Sequence, residues 1–418
     1  MPRAAASGLR PSPAVAYSRW IDACAAAGWR GTPAAEEVPV RDGLGRVASV
    51  SVRARWPAPR FACAAMDGIA IKAGPAGAAG VWQLAAASFT WVDTGDLIPA
   101  GMDTVVERER VELRADGSAQ ITGPAPSGLN VRLAGEDFPA GELLIPAGRR
   151  LRPADLAAAA TAGHATLKVA RQPVAAIIPT GDEIRPVGSA LGPGDITDSN
   201  SLLLASRATQ AGARPRITDV QPDDLGVIAS EIRRAALAAD VVLVIAGSSA
   251  GRSDHTAAAV AGSGGLAVRG VAVRPGHPVL LGYVRPDPAR VGHAGTVVPM
   301  IGIPGYPLAA AVIFELFAVP LLATLQGRPP ADPVRQRAQL ACDWISSPDI
   351  EDWVPVSLAP APAAQHADRL VLAAPSGRGA GSISRLLHAD AWWPIPIGQG
   401  KFARGEHIDV QPVPGGTR

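Results

Sequence analysis

Apolar positions recur at helical spacing over residues 14–29 (AVAYSRWIDACAAAGW) and run out at Gly28, which predicts a helix. Residues 38–55 set a turn-forming DGLG among alternating valines, the pattern of a strand or strand edge. WPAPRF follows as a proline-punctuated extended link. From 61 to about 123, short alternating runs (GIAIK, VWQLAAASF, DTVVERERVEL, AQITG) are separated by Gly, Pro or Asp and predict a small β-domain. Residues 130–170 open turn-rich. They then give RPADLAAAATAGHATLKV, a predicted helix with Pro153 in its first turn and Gly163 at its stop.

Beyond 170 the pattern repeats as strand, glycine turn, helix. PVAAIIPTGDEI is a buried strand entering a TGDE loop, and SNSLLLASRATQAG is a helix that starts after Asp198–Asn200 and stops at Gly212. LGVIASEIRRAALAA is a second helix. DVVLVIAGSSAGRSDHT and TVVPMIGIPGYPLAAAVIFELF are strands that run into small-residue turns. Strands alternating with helices predict a parallel sheet covered on both faces. In such sheets ligands sit beyond the carboxyl ends of the strands, where the TGDE, GSSAGRSD and GIPGYP loops fall. The apolar run Leu308–Leu325 carries Glu315 mid-segment and Pro320 beyond it, so it reads as a buried core helix ending near the proline rather than a membrane span. Residues 327–336 are Pro-rich and polar, a boundary. Residues 337–418 return to short strand-like runs and predict a C-terminal β-domain.

A chain of 418 residues with 48% apolar residues is long enough for several packed domains and excludes wholesale disorder. Lys and Arg total 39 against 37 Asp and Glu, so no basic face points to nucleic acid. Cys24, Cys63 and Cys342 are too scattered for a disulfide framework or a metal cluster. The lead-in MPRAAASGLRPSP has no apolar run and reads as a short disordered segment. A soluble, cytoplasmic protein is expected. No Walker or G-x-G-x-x-G pattern occurs, which removes the common NTPase and dinucleotide readings.

Several short patterns could carry chemistry, each with a plainer alternative. In AGSSAGRSD, Gly247 and Gly251 permit close backbone approach, and Ser248 and Ser249 can donate to phosphate oxygens; the same residues suit an ordinary loop. Asp254 can cap the following helix or hold a metal. Thr180, Gly181, Asp182 and Glu183 gather a hydroxyl and two carboxylates, or form a cap. The PDD ending at Asp224 reads as an N-cap, and MDG (Met66–Gly68) as a turn. Arg274 and His277 lie in a proline-stiffened turn able to face an anion or solvent. The seven histidines do not group at zinc-ligand spacing.

Taken in order, these pieces resemble the molybdopterin molybdenumtransferase family, the bacterial MoeA proteins and the gephyrin E-domain. Pro59–Ile71 (PRFACAAMDGIAI) is similar to that family's P-x-x-x-x-S-A-M-D-G-Y-A-V. Asp93–Val106 is similar to T-G-x-x-x-P-x-G-A-D-A-V-V, and Asn130–Gly148 to V-R-x-x-G-E-D-x-x-x-G-x-x-L-L-x-x-G. PTGDEI, DSN, Asp223–Asp224, GSSAGRSD, RPGHP and IPGYP follow in the family's order. The resemblance implies a multidomain α/β plus β architecture: residues 1–50 with 130–172 as a split elongated domain, 51–129 as an inserted β-domain, 173–327 as an α/β molybdopterin-binding domain, and 328–418 as a β-barrel-like domain. It implies a homodimer whose site forms between the α/β domain of one subunit and the inserted and C-terminal domains of the other.

The implied reaction inserts molybdate into the dithiolene of adenylylated molybdopterin, with AMP released and Mg²⁺ required. The resemblance assigns catalytic roles to Asp67, Asp182 and Asp254, with Asp67 and Asp254 at the metal. Thr180, Gly181, Glu183, Gly247, Ser248, Ser249 and Gly251 would hold the pterin compound, together with Arg274, His277, Pro304, Gly305, Pro307, Ser384 and Arg385. Implied partners are a molybdopterin adenylyltransferase and recipient molybdoenzymes; no nucleic acid or membrane is implied. The sequence departs from the family at Ile245 and Ala246 (for Ser and Gly), His277 (for Lys), Tyr306 (for Asn), Ala309 (for a hydroxyl residue) and Ile69 (for Tyr). Two other readings stand beside the enzyme: a non-catalytic molybdopterin or molybdenum-cofactor carrier, and a tungstate-using variant.

Overall fold

The computed structural model describes residues 10–31, 34–73, 80–246, 250–286, 297–328, 333–360, 371–377 and 379–413, with the backbone path alone at 246 and 250–255. The chain forms two compact units, one of residues 35–170 and one of residues 1–34 with 171–418.

In the 35–170 unit, strand Ala35–Pro39 pairs antiparallel with Thr166–Ala170, from Ala35 opposite Ala170 to Pro39 opposite Thr166. The helix Pro153–Thr161 begins on its proline, and Asp155 accepts from the Arg152 amide at 2.8 Å. Gly163 ends that turn at φ +95°, a conformation costly for any residue with a Cβ. The inserted β-part holds Gly68–Ile71 between Phe89–Val92 and Thr104–Glu107, all antiparallel. A second sheet joins Val81–Leu84, Ala119–Thr122 and Val111–Leu113, and Ile69, Ile71 and Ile121 are buried between them. Gly68 is required by its neighbour, because a Cβ there would stand 1.9 Å from the Val106 carbonyl oxygen.

In the other unit a six-stranded sheet has strands β1 (Val174–Pro179), β2 (Arg214–Ile217), β3 (Val241–Ala246), β4 (Gly264–Arg269), β5 (Leu280–Val284) and β6 (Val298–Pro304) in the order β2-β1-β3-β6-β5-β4. Neighbouring side chains go to opposite faces: Ile177 and Leu243 to one core, Ile178 and Val244 to the other. Helices α1 (Pro13–Ala26), α2 (Ser199–Gln210) and α5 (Pro307–Ile313) cover the first face through Trp20, Leu204 and Ile313. Helices α3 (Leu225–Ala236) and α4 (Ala250–Ser263) cover the second through Ile232 and Val260. The Trp20 indole donates to the Gly282 carbonyl at 2.6 Å, so α1, within the stretch 1–50, packs on this sheet. Asp224 accepts from the Val227 amide at 2.9 Å, the cap read from the sequence, and Asp198 caps α2 in the same way, accepting from the Ser201 amide at 3.0 Å.

Two features differ from expectation. The sheet is mixed, because β5 runs antiparallel to both β4 and β6. A fully buried apolar run shows where a strand lies but not its direction. The core helix does not end near Pro320. It passes through a π turn, Phe314–Ala318, and resumes as α6 (Val319–Leu325). The wider turn accommodates the proline, which lacks the amide hydrogen and crowds the preceding turn. The stretch 307–325 is long and apolar enough to cross a membrane, but Phe314, Phe317, Leu321 and Leu322 are fully buried in the sheet-facing core.

The C-terminal strands β7 (Gln336–Leu340), β8 (Glu351–Pro360), β9 (Val371–Pro375), β10 (Ala391–Ile395) and β11 (His407–Pro412) close a five-stranded barrel in the ring order β8-β9-β7-β11-β10. Leu340, Val356, Ile395 and Val410 fill it. The two-residue strand Val273–Arg274 pairs parallel with Glu351–Asp352, which ties the sheet's β4–β5 connection to the barrel.

Candidate functional site

The carboxyl ends of β1, β3 and β6 lie side by side, and the helices that follow leave to alternate faces: α2 to one, α4 to the other, α5 back to the first. Such a divergence opens a crevice at the strand ends. One cleft of about 630 Å³ lies past β1 and β2, lined by Gly181, Asp182, Arg185, Asp198, Ser201 and Thr218 among others. A second, of about 800 Å³, lies past β6 and the β4–β5 connection and is walled on its far side by the barrel. Strand β3 ends between them and leads into the Gly247–Ser249 loop, which lies outside the described residues.

In the first cleft the TGDE residues divide their work. Thr180 is buried; its amide reaches the Ile245 carbonyl at 3.0 Å and its hydroxyl donates to the same oxygen at 2.9 Å. Its hydroxyl thus staples β1 to β3. Gly181 adopts φ +139°, which turns the chain outward. Asp182 is exposed and accepts from the Asp223 amide at 3.2 Å, so the TGDE and PDD loops meet. Glu183 lies beside Gly181 and is partly exposed.

The larger cleft gathers cations. Arg10, Arg269, Arg274 and His277 line it, facing Tyr306 and the barrel residue Trp353. Gly276, at φ +115°, lies against Ile313 with no room for a Cβ, which would stand 2.7 Å from its Cδ1. Arg274 is engaged rather than open: its Nε donates to Asp352 Oδ1 at 3.1 Å and its Nη2 to Asp352 Oδ2. Ser346 donates to that same Oδ2 at 2.9 Å. Asp352 is only 4% exposed, and its bonds hold the guanidinium pKa above the ordinary value. His277 is pushed the other way. Desolvation against the cleft wall, then the Arg10 charge, lowers its imidazole pKa, so near neutral pH it offers a hydrogen bond rather than a charge.

Pro304 and Tyr306 line this cleft, and Gly305 and Pro307 sit in the same turn. Asn200 donates to the Gly305 carbonyl at 2.6 Å and so fixes that turn from α2. Ala309 is buried at the cleft wall. Ser384 and Arg385 lie on a short helix beside it, where Arg385 donates to the Gly379 carbonyl at 2.8 Å and Ser384 shares a 2.7 Å bond with Ser382.

Asp67 belongs to the other unit. It is exposed, and its Oδ1 accepts from the Thr94 amide at 2.6 Å and the Thr94 hydroxyl at 2.7 Å. Those bonds, the hydroxyl's first, hold its carboxyl below the usual range. Gly247, Ser248 and Ser249 lie outside the described residues, as does the side chain of Asp254. Gly251 and Asp254 fall inside α4, which begins at Ala250, so Asp254 does not occupy its N-cap. Among the described residues no three His, Cys, Asp or Glu side chains gather as a metal cage.

Sequence reasoning missed Asp352, Ser346 and Trp353, which reach the cleft from a barrel about eighty residues away in sequence (Arg274 and Asp352 are 78 apart). It also missed Arg10, assigned to a disordered lead-in, and Thr94, whose signal was its place in the Asp93–Val106 signature.

Three family models match in chain order: MoeA N-terminal region (domain I and II) at residues 14–163, probable molybdopterin binding domain at 176–324, and MoeA C-terminal region (domain IV) at 337–413. The chain is 32% identical over 337 residues to molybdopterin molybdenumtransferase 2 of Mycobacterium tuberculosis, covering 74% of this chain and 80% of that protein. It is 30% identical over 303 residues to the molybdopterin molybdenumtransferase of Nostoc, covering 68% and 67%. The crystal structure of the molybdopterin biosynthesis MoeA protein from Pyrococcus horikosii superposes with a TM-score of 0.75 at 28% identity, over 96% of this chain and 98% of that one. With its mixed α/β sheet, its inserted β-part, its closing barrel and these matches along nearly its whole length, the chain belongs to the MoeA family of molybdopterin molybdenumtransferases.

Proposed function

We propose that this protein is an enzyme of molybdenum cofactor biosynthesis that inserts molybdate into adenylylated molybdopterin and releases AMP. The observation that carries the reading is the cationic cleft at the carboxyl edge of the sheet, roofed by the barrel, in a chain whose relatives are named as the transferase. Both substrates are anions, and bringing them together requires fixed donors in a partly desolvated site. The cleft's 800 Å³ suits a ligand of nucleotide size. The relatives' names favour catalysis over a carrier role.

Magnesium is the metal this reading requires, and the Asp67 carboxylate fits it. Both Thr94 bonds fall on Oδ1 and the residue is exposed, so Oδ2 remains available to a cation that takes one or two carboxylates and completes its shell with water and phosphate. Asp254 would be the second ligand. A bound magnesium would neutralise charge on the adenylyl phosphate. Thr94 keeps Asp67 ionised, His277 offers a neutral donor to an oxyanion, and Arg274, held by Asp352, shapes the wall. Gly247, Ser248, Ser249 and Gly251 would cradle the pterin phosphate. Thr180 acts through its backbone, since its hydroxyl bonds Ile245. Gly181, Asp182 and Glu183 border the pterin side. Pro304, Gly305, Pro307, Ser384 and Arg385 flank the anion side.

The protein would act as a cytoplasmic homodimer, receive its substrate from an adenylyltransferase and pass the cofactor to molybdoenzymes. The test is AMP release from adenylyl-molybdopterin with Mg²⁺, run in parallel with molybdate and tungstate. Release with either oxyanion, abolished by Asp67→Ala, is expected and identifies the metal used; no release with both refutes the reading. Light scattering in solution checks the dimer.

A further inference from the structure

The larger cleft contains one cation that lies upstream of the matched family region, which begins at residue 14. Arg10 precedes α1, and its segment is docked: the Ala272 amide donates to the Pro11 carbonyl at 2.8 Å. That bond lays Arg10 across the β4–β5 connection at Gly270. A Cβ built on Gly270 would stand 3.2 Å from the His277 carbonyl oxygen and 3.3 Å from Arg10 Nε, so the guanidinium and the His277 turn meet at this glycine. Gly270 also adopts φ +76°, and Val271 donates to the His277 carbonyl at 3.0 Å, which fixes the turn against which Arg10 rests.

The other cleft cations are occupied in different ways, and Arg269 makes contacts of its own. Arg274 is bonded to a buried carboxylate and serves the wall. His277 lines the same wall, and desolvation with the Arg10 charge keeps it neutral near pH 7. A dianion entering beside His277 therefore meets a neutral ring there, and the fixed charge within reach of that turn is the Arg10 guanidinium. Arg10 is exposed at the rim, permanently charged, and able to present two N–H groups to one oxyanion.

We propose that Arg10 is an anion-binding residue of this cleft, supplying beside His277 the fixed positive charge that holds the phosphate or metal-oxyanion group of the substrate. This rests on the functional reading above and deepens it, because it assigns the charge to a segment that the family pattern does not include. The segment at Arg10 and Pro11, just before α1, is then part of the site.

The test uses the full chain and calorimetric binding of three probes: molybdate, inorganic phosphate and AMP. Arg10→Ala weakens at least one of them about tenfold, the loss of one charge-assisted bond. Arg10→Lys stays within about threefold of wild type, since the charge remains. His277→Lys placed in the Arg10→Ala protein restores the lost affinity. Loss for AMP alone assigns Arg10 to the adenylyl phosphate; loss for molybdate alone assigns it to the oxyanion; loss for phosphate as well assigns it to any tetrahedral dianion. Unchanged melting temperatures separate these outcomes from misfolding. Equal affinity of wild type and Arg10→Ala for all three probes, or a wild type that binds none, overturns the proposal. AMP release in the transferase assay is read separately. If it fails while the binding differences hold, the functional reading falls and Arg10 remains an anion ligand.

Discussion

Asp352→Asn separates the two roles that charge plays in the cleft. Asp352 is 4% exposed and accepts from Ser346 at 2.9 Å and from Arg274 Nε at 3.1 Å, with a second bond from Arg274 Nη2. The amide has the same shape, but it presents an NH₂ where the guanidinium needs an acceptor. Breaking a fully buried ion pair costs about 3–5 kcal/mol. The Arg274 side chain is 36% exposed, so water recovers part of that cost and the expected loss is about 2 kcal/mol. Urea unfolding of the full chain measures it. The same change removes the counter-charge from Arg274, so molybdate or AMP should bind several-fold tighter to the variant although it is less stable. A variant within about 0.5 kcal/mol of wild type that also binds anions no better would show that the Arg274–Asp352 pair neither supports the wall nor holds back the guanidinium's charge.

Three further outcomes follow from the geometry. Gly68→Ala places a methyl 1.9 Å from the Val106 carbonyl, forces apart the strand pairing beside Asp67 and should cost about 3 kcal/mol, seen as early proteolysis within residues 35–170. Thr94→Val removes the largest influence on Asp67, so carboxyl titration followed by NMR should move up toward the ordinary aspartate value. The sign follows: a depressed carboxyl stabilises above the unfolded pKa of about 3.9 and loses that contribution as pH falls through its folded value, so the variant should lose less stability on acidification. Burial pushes the Cys24 thiol up to about 12, so alkylation of the native protein should label exposed Cys342 first and reach Cys24 only on unfolding.

What the sequence made legible is local. Asp224 announced its helix because a cap needs only a side chain and an amide three residues on. Gly163 and Gly212 announced stops because both take positive φ, at 95° and 89°. The MDG signature had a readable cause as well, since its glycine faces a carbonyl with no space for a side chain. What stayed hidden needed either a direction or a distant partner. β5 is as apolar as its parallel neighbours, and nothing in its composition marks it as reversed. Pro320 reads as a stop until the π turn before it is seen. Thr180 looks like a ligand-facing hydroxyl until Ile245, sixty-five residues on, takes its hydrogen bond.

The charges of the larger cleft divide between structural and open roles. Arg274 gives its guanidinium to Asp352 and so joins the sheet to the barrel, along the same register that pairs Val273–Arg274 with Glu351–Asp352. That contact walls the cleft, and it also offsets a charge that an anion entering it would otherwise feel. His277 adds a donor without a permanent charge. For the anionic substrates proposed above, charge complementarity would come from residues whose guanidinium groups are not bonded to a buried carboxylate. Arg10 meets that condition by position, since its segment is held by the Pro11 carbonyl and its head group lies at the rim. If Arg10 holds the anion as proposed, the segment before α1 should be as sensitive to mutation as the loop it rests on.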